Sequence, residues 1–166
     1  MKKTGIVAFA FGTPWTLKSN VKIGQIAGQK ANEFNAEVYT QADIHIHPEY
    51  EAVVEYTHEH WDHQPPTLRI ARGAVQWAKS KEIRRILVVA AGPHLWRAVR
   101  DLKMAVREAH EKIEVHGCRR TINRYPDDIW FCPDSRQNWT RSQKEWDRRE
   151  RIMMLMPFSI YRLVAK

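Results

Sequence analysis

Six apolar residues in unbroken succession, Ile86-Leu87-Val88-Val89-Ala90-Ala91, run straight into Gly92-Pro93 and then into a helical repeat. A strand with one wet face alternates apolar and polar side chains, whereas a continuous run belongs to a strand covered on both faces. Proline suits the first helical position, where its missing N–H has no intrahelical partner to lose, so Gly92-Pro93 stops the strand and opens a helix in one step. Leu95, Ala98, Val99, Leu102, Ala105, Val106 and Ala109 then share one helical face, out to about Lys112. A doubly buried strand followed at once by an amphipathic helix is the building unit of a parallel sheet.

The same unit recurs along the chain. Residues 5–11 form a second apolar run, closed by the turn Gly12-Thr13-Pro14. Ser19-Asn20 offers an N-cap, and Ile23, Ile26, Ala27, Ala31 and Phe34 follow at helical spacing until Asn35. Val38-Tyr39-Thr40 reads as a strand ending at Gln41 and Asp43, and residues 113–116 as another. Thr67 can cap a helix whose apolar face is Leu68, Ala71, Val75 and Ala78. Residues 44–66 lack a clear period and read as a loop with one short helix near 49–56. Residues 117–138 carry loop chemistry, and a charged helix is predicted from about Trp139 to Met156. Pro157 breaks it, and the apolar tail 158–164 packs back on the body. The expectation is one domain, 1–166, of the α/β class: a Rossmann-like three-layer sandwich with a mainly parallel sheet and a C-terminal helical segment at about 139–166.

Composition bounds the function classes. With 43% hydrophobic and 28% charged residues, the 166-residue chain fits a globular protein and not a disordered one. No apolar run approaches the ~20 residues that span a bilayer. Lys2-Lys3 precede an apolar run with no small-residue cleavage site, so no signal peptide is expected. Cys118 and Cys132 lack CxxC spacing and read as thiols, which suits a cytoplasmic protein. Lys and Arg number 27 against 19 Asp and Glu, a net charge of +8 that favours anionic partners. From Cys118 onward there are eleven basic and six acidic residues, so +5 of the excess lies in the last third, remote in sequence from the strand-end motifs. There Trp139, Trp146 and Arg148-Arg149-x-Arg151 interleave aromatics and cations; a packed amphipathic helix is the first reading and a nucleic-acid surface the second.

In open parallel sheets ligands sit beyond the carboxyl ends of the strands. Three stretches occupy that edge: Gly12-Thr13-Pro14, Gln41-Ala42-Asp43 and Gly92-Pro93-His94. His94 falls in the first turn of its helix, where free N–H groups and the helix dipole favour an anion. His94, Arg97 and Asp101 lie within about 60° of one another around that helix. Arg97 is the candidate to neutralise the anion, Asp101 to orient Arg97, and His94 to act as acid or base near neutrality. Gly12, Thr13 and Asn20 are expected to line the opposite wall, with Gln41 and Asp43 at the second strand, where Asp43 can accept from sugar hydroxyls. The competing structural reading makes Arg97–Asp101 an ordinary i,i+4 pair worth about 0.3–0.5 kcal/mol and His94 a packing residue. Neither GxxxxGK[ST] nor GxGxxG is present.

The block that begins Pro66-Thr67-Leu68-Arg69 and runs through Ile86-Leu87-Val88-Val89-Ala90-Ala91-Gly92-Pro93-His94-Leu95-Trp96-Arg97 to Leu102 resembles the DUF218, or YdcF-like, domain family. That family shows a Thr-containing helix start, then a hydrophobic strand, then a short turn with His and a nearby Arg. The resemblance extends more weakly to the Gly12 turn, over about residues 5–117. It implies a Rossmann-like domain of largely unassigned chemistry, with Thr67 joining His94 and Arg97 among the ligand contacts. The chain has Thr40-Gln41-Ala42-Asp43 where the family has a Ser-Gly-Gly turn.

A second motif competes. His58-Glu59-His60-Trp61-Asp62-His63 fits HxHxDH and resembles the signature of the metallo-β-lactamase superfamily, which implies a metal pair held by His58, His60, Asp62 and His63. Gln64-Pro65-Pro66 follows, in place of the glycine-rich helix start that such a site needs. The sequence therefore ranks a protein that binds a small anionic metabolite, a nucleotide or a phosphorylated sugar, with or without catalysis by His94, ahead of a metal-dependent hydrolase and ahead of a non-catalytic or nucleic-acid-binding module. It requires no cofactor, and a metal only under the second of these.

Overall fold

The computed structural model describes residues 2–57 and 66–164. Five strands form one sheet in the order β3-β2-β1-β4-β5, with every pairing parallel. They are β1 (Thr4–Ala8), β2 (Glu37–Thr40), β3 (Val54–Tyr56), β4 (Arg85–Val89) and β5 (Glu114–Gly117). The helices are α1 (Lys18–Phe34), α2 (Thr67–Ser80), α3 (Gly92–Glu108), α4 (Arg119–Ile122), α5 (Gln143–Leu155) and α6 (Phe158–Val164). The fold is thus the α/β, Rossmann-like three-layer class.

The apolar runs explain the centre of the sheet. All five residues of β1 are buried, and Val7 lies between Tyr39 of β2 and Val88 of β4. From β1 the chain builds outward through β2 to β3, then crosses back to β4 and builds the other way to β5. Right-handed crossovers therefore put α1 on one face and α2 with α3 on the other, and α2 and α3 pack together. Gly5 makes room for that layer: a Cβ there would fall 2.7 Å from the Trp77 ring of α2 and from Ile83. Because the connections leave β1 and β4 in opposite directions, a crevice opens at their carboxyl ends.

Several local expectations change. The first strand ends at Ala8 and not at Phe11, although the Phe9 N–H still donates to the Val89 carbonyl. The helix after it starts at Lys18, so Ser19 and Asn20 are not its cap; their side chains reach back to the preceding loop. Residues 49–56 hold no α-helix. A single 3-10 turn, Pro48–Tyr50, leads into β3, a three-residue edge strand whose Glu55 and Tyr56 face solvent. An edge strand that short buries too little to show a period. Pro66, not Thr67, stands at the cap position of α2. The helix α3 ends at Glu108, short of Lys112, where Ala109 and a left-handed His110 close it. The final charged helix starts at Gln143, capped by the Ser142 hydroxyl, after a 3-10 turn that holds Trp139. Among the described residues no helix is long and apolar enough to cross a membrane.

Candidate functional site

A cavity of about 400 Å³ lies at the crevice between the ends of β1 and β4. Ala10 and Phe11 come to it from the β1 loop, Gln41 from the end of β2, Thr67 and Ile70 from α2, and His94 and Arg97 from the first turns of α3. The far wall is built by Gln137, Trp139, Trp146, Arg149, Met153 and Tyr161. The C-terminal segment, where the excess positive charge resides, is folded over the strand ends.

His94 is buried, with Phe9, Phe11 and Trp146 around its ring at centroid distances of 5.5–6.2 Å. Its Nε2 lies 3.3 Å from the Thr67 hydroxyl, and its buried Nδ1 has no hydrogen-bond partner. Burial, with the Arg97 and Arg149 charges added, holds the imidazole pKa well below its usual value. The ring is therefore neutral at pH 7, able to accept a proton but not to donate one as an imidazolium.

Arg97 is also buried and lies over the Trp146 indole at 5.0 Å. Arg149 lies over the Trp139 indole at 4.6 Å. Each guanidinium is thus seated on an aromatic face, an arrangement that fixes its plane while leaving its N–H edge for other partners. Arg97 Nε and Arg149 Nη1 are buried without a hydrogen-bond partner. Glu150, beside Arg149, sets its Oε2 3.2 Å from Arg97 Nη1. Burial, reinforced by the neighbouring Arg97 charge, lowers the Arg149 pKa to about 10. Burial pushes the Glu150 carboxyl up, against the pull of Arg97 and Arg149. Arg97 pairs with this carboxylate and Arg149 acts on it at longer range, so two guanidinium charges have one carboxylate charge between them.

No protein-family model, curated protein or solved structure matches this chain.

The predicted residues divide. Gln41, Thr67, His94 and Arg97 line the cavity. Asp101 does not orient Arg97: its carboxylate takes the Arg100 guanidinium at 2.9 Å and the Tyr161 hydroxyl, and Glu150 is the partner of Arg97. Burial raises the Asp101 pKa against these two partners. Gly12, Thr13 and Asn20 do not form the opposite wall. The Asn20 amide accepts from Phe11 N and donates to the carbonyls of Gly12 and Pro14, which clamps the β1 loop. Gly12 sits at φ +90°, and a Cβ there would lie 2.6 Å from Ser135 Oγ. It admits the C-terminal loop, not a ligand, and Thr13 accepts the Arg136 N–H with its carbonyl. Asp43 is half-buried and outside the cavity lining, whereas the Gln41 side chain accepts from Ala10 N.

His58, His60, Asp62 and His63 lie outside the described residues. Among the described residues no three His, Cys, Asp or Glu side chains converge on a possible ion. Cys118 is half-buried, and burial lifts its thiol to about 11, which fits a packing role. Sequence reasoning noticed Trp146 and Arg149 only as part of a packed helix or a nucleic-acid surface and did not bring them to this site, and it missed Tyr161 and the Arg97 partner Glu150. The spacing of Trp146, Arg149 and Glu150, three and four residues apart on one helical face, was the available signal.

Proposed function

We propose that this chain is a DUF218-like protein that binds a small phosphate-bearing metabolite, a nucleotide or a phosphorylated sugar, in the crevice at the carboxyl ends of β1 and β4. One observation carries the reading: Arg97 and Arg149, each seated on an indole, converge on one cavity and keep buried N–H groups without partners. A buried donor left unsatisfied costs about 1–3 kcal/mol, and an oxyanion with several lone pairs answers that cost for both groups at once. The size of the cavity, about 400 Å³, suits a ligand of that class. The resemblance of residues 66–102 to the DUF218 domain supports the same edge of the sheet.

Where the protein is catalytic, neutral His94 serves as a general base, with Thr67 on its Nε2 and Arg97 stabilising developing negative charge. A non-catalytic sensor would use the same pocket. Titration calorimetry with inorganic phosphate, pyrophosphate and a panel of nucleoside and sugar monophosphates tests the reading. Binding is expected for the wild type, weakened at least tenfold in Arg149→Gln. Absence of binding by every compound in the panel overturns it. Turnover of a binding monophosphate, lost in His94→Asn while binding remains, distinguishes the enzyme from the sensor.

A further inference from the structure

We propose that α6 is a strap that closes the cavity over its ligand, latched by the hydrogen bond from the Tyr161 hydroxyl to the Asp101 carboxylate; the proposal rests on the anion-site reading above. Pro157 separates α6 from α5, so the two helices are not one rigid rod. Among Ser159, Ile160, Tyr161, Arg162 and Leu163, Tyr161 alone is buried, while Ile160 is 48% and Leu163 64% exposed. That one inward side chain does three things. It lines the cavity, it donates to Asp101, and it lies beneath the Arg100 guanidinium at 4.5 Å.

Among the described side chains, the apolar support under the strap is a separate small cluster. Tyr161 and Leu68 form a cluster of their own, separate from the main core, with Met153 and Met156 partly buried beside them. Arg162 places a charge near Glu108. By contrast, Trp146 of α5 is anchored in the main core against Phe11. Among the described side chains of α6 Tyr161 is the buried one, and a short segment joined to the body through few buried contacts opens locally before the sheet unfolds. Asp101 stands one helical turn beyond Arg97 on the same face of α3, so latch and anion grip share one helix. Release of Tyr161 takes away one wall of the cavity and leaves His94, Arg97, Arg149 and Trp146 in place. Entry and exit of ligand therefore run beneath α6.

Hydrogen–deuterium exchange on the full chain tests this, comparing wild type with Tyr161→Phe, each with and without pyrophosphate. The variant should exchange the amides of 158–164 at least fivefold faster, with β1 and β4 unchanged. Pyrophosphate should slow the same amides in the wild type and not in the variant. Equal exchange of 158–164 in the two proteins overturns the latch. Pyrophosphate protection confined to the first turns of α3 overturns the strap while leaving the anion site standing. Protection nowhere overturns the anion site and, with it, closure over a ligand; the variant comparison then still decides the latch. If Tyr161→Phe also loosens β1 and β4, the wild-type pyrophosphate comparison decides alone.

Discussion

Replacement of Glu150 by Gln removes one negative charge from a buried group of three charges and leaves the shape almost unchanged. The Arg97 and Glu150 side chains are only 5% and 11% exposed, and their closest atoms are 3.2 Å apart. With the carboxylate gone, Arg97 and Arg149 face each other without a shared counter-ion. Breaking one partner from a buried pair costs about 3–5 kcal/mol. Part of that returns, because burial already works against the Glu150 carboxylate and a neutral amide is easier to bury. The lower end, about 3 kcal/mol, is the expected loss, which for a chain of this size lowers Tm by about 6–12 °C. The loss should be reversible by anions: a ligand at 100 times its Kd stabilises by about 2.7 kcal/mol. Pyrophosphate should therefore raise the Tm of Glu150→Gln by more than it raises that of the wild type. Scanning calorimetry with a pyrophosphate titration reads both numbers. A variant that melts with the wild type and responds no more strongly to pyrophosphate would refute the counter-ion argument.

Three further outcomes follow from the geometry. His94 has a folded-state pKa below its unfolded value, so the unfolded chain binds the extra proton as pH drops below about 6.5. Its contribution is present above that pH and lost on acidification. Denaturant titrations at pH 7.5, 6.5 and 5.5 should show the wild type losing stability relative to His94→Gln as pH falls; parallel curves would contradict the buried neutral ring. Gly12→Ala forces a side chain onto φ +90° with Ser135 Oγ at 2.6 Å, and equilibrium unfolding should register a loss of about 1–3 kcal/mol. Glu108→Gln breaks the two-pronged Arg72 pair on the surface, and the same unfolding assay should find under about 1 kcal/mol, because that pair is partly solvated.

The sheet was legible where burial was most extensive. The run 86–91 and the Gly92-Pro93 stop place β4 and α3 to within a few residues, because a doubly covered strand permits no polar interruption. The strand β3 was not legible: three residues at an edge, two of them exposed, leave no periodic trace. Half of the site was legible for a related reason. His94 and Arg97 stand beside a strong strand–helix junction, whereas Arg149 and Tyr161 reach the cavity only because the chain folds back over the sheet. Local periodicity carries no record of that return. The charge distribution pointed the wrong way, since a basic segment remote along the chain is adjacent in space. Asp101 illustrates a smaller lesson: helical spacing correctly put it near Arg97, but Tyr161 and Arg100, one from a distant helix and one from the preceding position, took its oxygens.

The Asn20 amide, tied to three backbone groups of the loop after β1, has a consequence for redesign. The floor of the cavity is braced by the scaffold itself, while its roof is supplied by a separate stretch of chain. Trp146 has to stay, because it is packed into the main core against Phe11, whereas changes at Gln137 and Trp139 would reshape the cavity wall with the parallel sheet left as it is.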